Sequence, residues 1–236
     1  MTTLGLIGAG NIGGTVARLA VAAGIDVVVA NSRGPETLAG LVGELGKRAS
    51  AGTAAEAAQA GDLIVVSVPL HACGQLPAAL AGRTVIDTCN YYPDRDGHIA
   101  ELDSGAVTSS ERLARLLPGA SVVKAFNNID FVHLGTLARP FGAPDRSALP
   151  VAADDPRARD RVTALLDALG YDAVDIGPLA ESWRSQPGTP VYVQPYMSPA
   201  PDGMTQQERG AWFMSSPGTP VPAAEVRQLV HAAVPV

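Results

Sequence analysis

Three glycines spaced within six residues offer the first chemistry in this chain: Gly8-Ala9-Gly10-Asn11-Ile12-Gly13. They follow an apolar run, TLGLI, and precede a stretch of helix formers. In that setting G-x-G-x-x-G predicts a strand turning into a helix whose mouth accepts a diphosphate. Gly8 permits the tight turn, Gly10 lets backbone approach the pyrophosphate, and Gly13 lets helix and strand pack closely. The free N–H groups and positive dipole end at the start of the helix, from Asn11 and Ile12 onward, then face the phosphates.

The end of the second strand tests which dinucleotide is meant. A domain selective for NAD places an acid there, against the ribose 2′-hydroxyl. This chain has Asn31-Ser32-Arg33-Gly34-Pro35, and the nearby acid, Asp26, opens that strand instead of closing it. A carboxylate at the far end would repel a 2′-phosphate, whereas a hydroxyl and a guanidinium would bind one. NADP(H) is the predicted cofactor.

The loops after the later strands should surround the reacting ring. They read Ser67-Val68-Pro69-Leu70-His71, Thr88-Cys89-Asn90-Tyr91-Tyr92 and Ala125-Phe126-Asn127-Asn128. His71 is a candidate proton donor or substrate contact, with packing or capping as the alternative. Asn90 and Asn127 are candidates to position a carboxamide or planar ring. Asp87 is read as a loop or cap residue, Cys89 as a small apolar filler, and Lys124 as the end of a strand. No Ser–His–Asp pattern, carboxylate pair or metal-ligand spacing is legible.

The elements that must hold these residues alternate. Apolar runs at 3–8, 26–30, 62–66, 83–87 and 120–124 suit buried parallel strands. Helical patterns at 11–23, 35–45, 54–60, 71–81 and 109–117 lie between or beside them. Such alternation predicts an α/β fold, a doubly wound and mostly parallel sheet. Weaker strands at 149–153 and 173–176, with a helix at 156–169 between them, extend it. The expected domain spans 1–180. Residues 181–236 form an irregular proline-rich excursion and a C-terminal helix, packed on the same domain. The prolines at 187, 190, 195, 199, 201, 217, 220 and 222 exclude a central strand or long helix there. Short helices are expected at 205–211 and 223–233.

Composition narrows the function. The 236 residues are 47% hydrophobic and 17% charged, which describes a globular protein. A formal charge of -6 argues against a nucleic-acid partner. No apolar run approaches a membrane span, and the N-terminus carries no basic leader. The two cysteines, Cys73 and Cys89, read as free thiols. Together these features suggest a cytoplasmic protein acting on a small molecule, with a homodimer left open.

Taken in order, LIGAGNIGGTVARLA, NSRGP, SVPLHA, IDTCNYYP, VVKAFNN and LGYDAVDIGPLAES resemble the NADPH-dependent reductases of the deazaflavin coenzyme F-420. The resemblance covers about residues 1–180. It implies hydride transfer between NADP(H) and F-420 as co-substrate. It further implies that Ser32 and Arg33 hold the 2′-phosphate, that Val68 and Pro69 line the ribose and nicotinamide, and that Ala125 offers its backbone to the carboxamide. The deazaflavin would lie near His71, Asn90 and Asn127. Direct transfer between stacked rings needs alignment and exclusion of water more than an acid–base set. The excursion falls outside the family pattern, and its Trp183, Tyr192, Tyr196, Trp212 and Phe213 are candidates to line the acceptor pocket, with a dimer contact or surface loop as the alternative. Two other functions fit the residues: an NADPH-dependent reductase of a small imine or dehydroamino acid, and an NADP(H) sensor without turnover.

Overall fold

A computed structural model describes residues 3–235. In chain order, β1 (Thr3–Ile7), α1 (Asn11–Ala22), β2 (Asp26–Ala30), α2 (Ala39–Leu45), β3 (Ala49–Ala51), α3 (Ala54–Ala60) and β4 (Leu63–Val66) form the first half. Then come β5 (Thr84–Asp87), α4 (Pro93–Asp96), α5 (Ala100–Asp103), α6 (Ser109–Leu116), β6 (Ser121–Lys124) and α7 (Phe131–Thr136). The chain ends with β7 (Ala148–Ala153), α8 (Pro156–Ala168), β8 (Asp172–Gly177), α9 (Gln206–Ser215) and α10 (Ala223–His231).

The eight strands make one sheet in the order β3-β2-β1-β4-β5-β6-β7-β8. All neighbours run parallel except β6 and β7, which pair antiparallel through Val123–Ala153 and Lys124–Ala152. The order reverses between β1 and β4, so the carboxyl ends of those strands flank a crevice. This is the doubly wound, mostly parallel sheet that the alternating pattern predicts.

Strand side chains alternate between two buried clusters, one on each face of the sheet. Leu63 and Val65 of β4 join one cluster, whereas Ile64 and Val66 join the other. Period-two alternation with both faces apolar explains why these strands read as unbroken hydrophobic runs. Several helices begin at capping boxes: Thr53 with Glu56, Thr108 with Glu111, and Thr205 with Glu208 each bond reciprocally.

Some elements depart from the sequence expectation. The expected helix at 71–81 is two short 3-10 turns, Leu70–Gln75 and Ala78–Leu80. Pro77 has no N–H to continue a helix and restricts the residue before it, so the segment breaks there. The edge strand β3 and helix α7 are additional; α7 starts where the Asp130 carboxylate accepts the N–H groups of Val132 and His133. Helix α9 runs longer than expected, to Ser215.

The excursion is anchored to the sheet. Val191, Tyr196, Val221, Val226 and Val230 are buried in the same cluster as β7. Tyr196 Oη donates to the Ala148 carbonyl at 2.8 Å, and Ala148 N–H donates to the Val221 carbonyl at 2.8 Å. Among the described residues no helix is long and apolar enough to cross a membrane.

Candidate functional site

The turn after β1 is built as its glycines require. Gly8 has φ +107°, and a Cβ there would sit 2.1 Å from the Ser67 carbonyl oxygen. A Cβ at Gly13 would lie 1.9 Å from the Gly8 carbonyl oxygen. Both positions exclude any side chain on packing grounds. Gly10 differs. Its φ of -76° and ψ of -162° suit any residue, and an added Cβ would meet nothing within 4 Å. Packing therefore does not require the missing side chain at residue 10, and the bare backbone lies open on the lining of both cavities described next. Gly10 also offers no side-chain cap, and the first turn of α1 holds no acid. Its leading N–H groups lack intrahelical partners and keep their full partial charge.

Two cavities meet at this turn. One, of about 500 Å³, is lined by Gly8, Gly10, Asn31, Ser32, Arg33, Val68 and Pro69, together with Ala72, Gln75, Leu76 and Pro77. The other, of about 370 Å³, is lined by Gly10, Asn11, Ile12, Val68, Pro69, Asn90, Tyr92, Asn127 and residues of the excursion. They share Gly10, Ser67, Val68 and Pro69, so one groove runs from Arg33 across the helix mouth to the ends of β5 and β6.

At the Arg33 end the loop is internally braced. Arg33 N–H donates to Asn31 Oδ1 at 2.9 Å, Asn31 Nδ2 donates to Thr37 Oγ1 at 2.8 Å, and Thr37 Oγ1 donates to the Gly34 carbonyl. Arg33 itself is exposed, and no ion pair among the described residues involves it. The Glu36 carboxylate folds beside Gly34 and is the nearest counter-charge in the loop.

At the other end, a buried ion pair sets the loop after β5. Lys124 Nζ donates to Asp87 Oδ2 at 3.0 Å and also to the Cys89 carbonyl. Asp87 Oδ1 accepts the Cys89 N–H at 2.8 Å, and Oδ2 accepts Ser110 Oγ at 2.8 Å. Lys124 is therefore more than a strand end: it and Asp87 fix where Cys89 and Asn90 stand. Cys73 and Cys89 are free, buried and 4.0 Å apart. The Cys73 thiol and burial push the Cys89 thiol well above its ordinary range.

Asn90 and Asn127 come together at the cavity wall. Asn90 Nδ2 donates to the Asn127 carbonyl at 2.8 Å, and Asn127 Nδ2 donates to Asn90 Oδ1 and to the Ser185 carbonyl. Their amides bind one another and Ser185 at the start of the excursion, which leaves them little capacity for a ligand.

Two expected site residues stand elsewhere. His71 does not line the groove; its Nδ1 lies 2.9 Å from Asp96 Oδ1 on α4. Burial opposes the charge on Asp96, but hydrogen bonds from Arg95, the Tyr92 N–H and His71 outweigh it and hold the carboxyl well below its usual range. His71 is thus turned toward an ionised acid and away from the crevice. Ala125 is fully buried, and its N–H is taken by the Asp87 carbonyl at 3.1 Å. The next residue, Phe126, meets the cavity instead, at φ +62°.

Of the excursion's five aromatic candidates, Tyr192 and Phe213 reach the cavity and Trp183, Tyr196 and Trp212 do not. Tyr192, Val193 and Phe213 line the 370 Å³ cavity. Tyr192 and Tyr92 hydroxyls touch, and Phe213 packs edge-on against Phe131 and His133. Tyr196 lies buried beneath, and Trp183 lines a separate cavity. A Ser–His–Asp contact does exist, though the sequence shows none. His133 Nδ1 is 2.6 Å from Asp130 Oδ2, and His133 Nε2 is 2.8 Å from Ser216 Oγ. Ser216 is 83 residues from His133, is buried and does not line the groove. The trio ties the end of α9 to α7.

The strand order, the glycine turn at its reversal and the groove define a Rossmann-like protein of the dinucleotide-binding type. Residues 3–91 match the family model described as NADP oxidoreductase, coenzyme F-420-dependent. A solved structure of protein SMa0349 from Sinorhizobium meliloti is 32% identical, with a TM-score of 0.72, covering 81% of this chain and 93% of that one. The metalloreductase STEAP3 of Rattus norvegicus is 31% identical over 182 residues, covering 76% of this chain. The chain spans only 34% of that curated relative's length. A reductive aminase from Aspergillus terreus, solved with NADPH, shares the fold at 20% identity and a TM-score of 0.55, covering 76% of this chain and 56% of that one. The family match thus covers the dinucleotide-binding first part of the chain, and the family it describes is one of NADP-dependent oxidoreductases.

Proposed function

We propose that this protein transfers a hydride between NADP(H) and the deazaflavin coenzyme F-420. The observation that carries the reading is the continuity of the groove. An exposed Arg33 stands at one end, a bare helix mouth in the middle and an aromatic-walled cavity at the other. In this reading Asn31, Ser32 and Arg33 take the 2′-phosphate. Gly8, Gly10, Asn11, Ile12 and Gly13 present backbone to the pyrophosphate. Val68 and Pro69 sit where both cavities join and flank the ribose and nicotinamide. The nicotinamide supplies the hydride. The chain's own work is to align two rings and exclude water, and Phe126, Phe131, Tyr192 and Phe213 give the cavity the apolar faces for that. The Asn90–Asn127 pair keeps the ends of β5 and β6 in register and serves as a positioning element.

A second reading has one observation in its favour. The contact between Tyr92 and Tyr192 brings the excursion against the loop after β5, which restricts the acceptor side and suits a small imine or dehydroamino acid. One assay separates the two. Purified protein with NADPH and oxidised F-420 should bleach the deazaflavin's visible absorbance. Tight NADPH binding with no bleaching would reject the F-420 reading, and NADPH oxidation by a small imine would then support the second.

A further inference from the structure

Reduction of any acceptor here takes up a proton as well as a hydride, and the cavity wall holds few groups able to give one. Asp130 is spent: its carboxylate accepts the N–H groups of Val132 and His133 and contacts His133 Nδ1. The Cys89 thiol bonds toward the Val66 carbonyl and Cys73, away from the open space. Arg95 does not release its proton at any working pH. His71 lies outside the groove. Two phenols remain, Tyr92 and Tyr192, with their hydroxyls in contact.

The geometry around Tyr192 shows that its placement is enforced. The next residue, Val193, has φ +56°. A β-branched side chain adopts that region only when its surroundings over-determine it. Among the described residues, the only other non-glycine with positive φ is Phe126, and it lines the same cavity. Val193 N–H donates to the Asn128 carbonyl at 2.7 Å, which pins the strained turn to the loop after β6. Strain concentrated at two facing points of one cavity is how a fold holds a site side chain in place.

Resting on the hydride-transfer reading above, we propose that Tyr192 is the acceptor-side proton donor and that Tyr92 returns the proton to it. The acceptor class is one whose hydride-accepting carbon is double-bonded to nitrogen or conjugated to a carbonyl oxygen or ring nitrogen. The hydride from NADPH forms a new C–H bond. The π pair of the acceptor moves onto that heteroatom, which takes the proton of Tyr192 Oη. Tyr192 regains a proton from Tyr92, and Tyr92 regains one from solvent, so one proton is consumed per NADPH oxidised. Burial and the Tyr92 contact push the Tyr192 hydroxyl upward, Arg95 acts against them, and Asp130 adds to the rise. The phenol keeps its proton across the neutral range and yields it only to an atom made strongly basic by the arriving hydride. The Arg95 guanidinium lies 4.8 Å from the centre of the Tyr92 ring and holds that ring against the loop.

The test compares wild type with Tyr192→Phe and Tyr92→Phe. Calorimetry of NADP+ binding, thermal melting, and binding of oxidised F-420 to the NADP+-loaded protein accompany the kinetics. For Tyr192→Phe, kcat is expected to fall about 100-fold, the scale of general acid catalysis. NADP+ affinity and melting temperature should hold, the solvent deuterium isotope effect should change, and F-420 should bind more weakly. Tyr92→Phe should lose less. Wild-type turnover of F-420 with an unchanged kcat and isotope effect in Tyr192→Phe would overturn this inference alone. No wild-type turnover of F-420 would instead overturn the F-420 reading, and the same comparison on an imine that is turned over would then decide for or against Tyr192.

Discussion

Replacing Gly10 with alanine separates the needs of the fold from those of a bound dinucleotide. The new methyl group meets no protein atom within 4 Å, and the backbone at φ -76° accepts it without strain. The cost to the fold is that of a poorer N-cap, about 0.5–1 kcal/mol. For a chain of this size that lowers the melting temperature by roughly 1–4 °C. Binding should suffer far more. The methyl group stands where the groove narrows to Gly10, Ser67, Val68 and Pro69, the stretch shared by both cavities. A diphosphate pushed off the helix mouth loses at least one charge-assisted hydrogen bond, worth about 1.5–3 kcal/mol. At 1.4 kcal/mol per tenfold, NADPH affinity should drop by about 10- to 150-fold. Gly13→Ala is the control. Its Cβ would lie 1.9 Å from a backbone oxygen, so that variant should lose stability as well as binding. Calorimetric titration with NADPH beside thermal melting reads both quantities. A Gly10→Ala protein that binds NADPH as tightly as wild type would refute the placement of the pyrophosphate at this turn.

Three further outcomes follow from the same geometry. Arg33→Ala should weaken NADPH binding by about 1–3 kcal/mol while leaving NADH binding almost unchanged; equal losses for both would remove the case for NADP preference. Glu36→Gln removes the carboxylate beside Gly34 and should tighten NADPH a few-fold at low salt, an effect that fades as salt is raised. Lys124→Met leaves the fully buried Asp87 carboxyl without its ion-pair partner, so stability should fall by about 3–5 kcal/mol, read from chemical denaturation.

The sequence made the first half of this protein legible because its rules are local there. Gly8 and Gly13 are demanded by collisions between adjacent elements, whereas Gly10 faces open space, so one short motif encodes constraints of two kinds. The strands β1, β2, β4, β5 and β6 are buried on both faces and announce themselves as apolar runs. β3 does not, because Ala49, Ser50 and Ala51 are small, lie at the sheet edge and carry no pattern. The cavity beyond the helix mouth was less legible. Asn90 and Asn127 were found from their places at strand ends, but only the structure shows that they spend their amides on each other. His71 had the right loop and the wrong direction, since its ring is claimed by Asp96, 25 residues away. The same blindness to distant pairs hid the contact of Tyr92 with Tyr192 and that of His133 with Ser216, 100 and 83 residues apart.

The order of construction along the chain has a consequence for how such a protein can diversify. The donor half of the groove is complete by Asp130, while Tyr192, Val193 and Phe213 arrive only after the last strand has been laid down. That late segment grips the sheet through a few plugs, Val191, Tyr196 and Val221. A different tail seated on the same plugs would present a new face to the same nicotinamide. On the proposed function, this late segment would decide the acceptor, apart from the residues that hold the reductant.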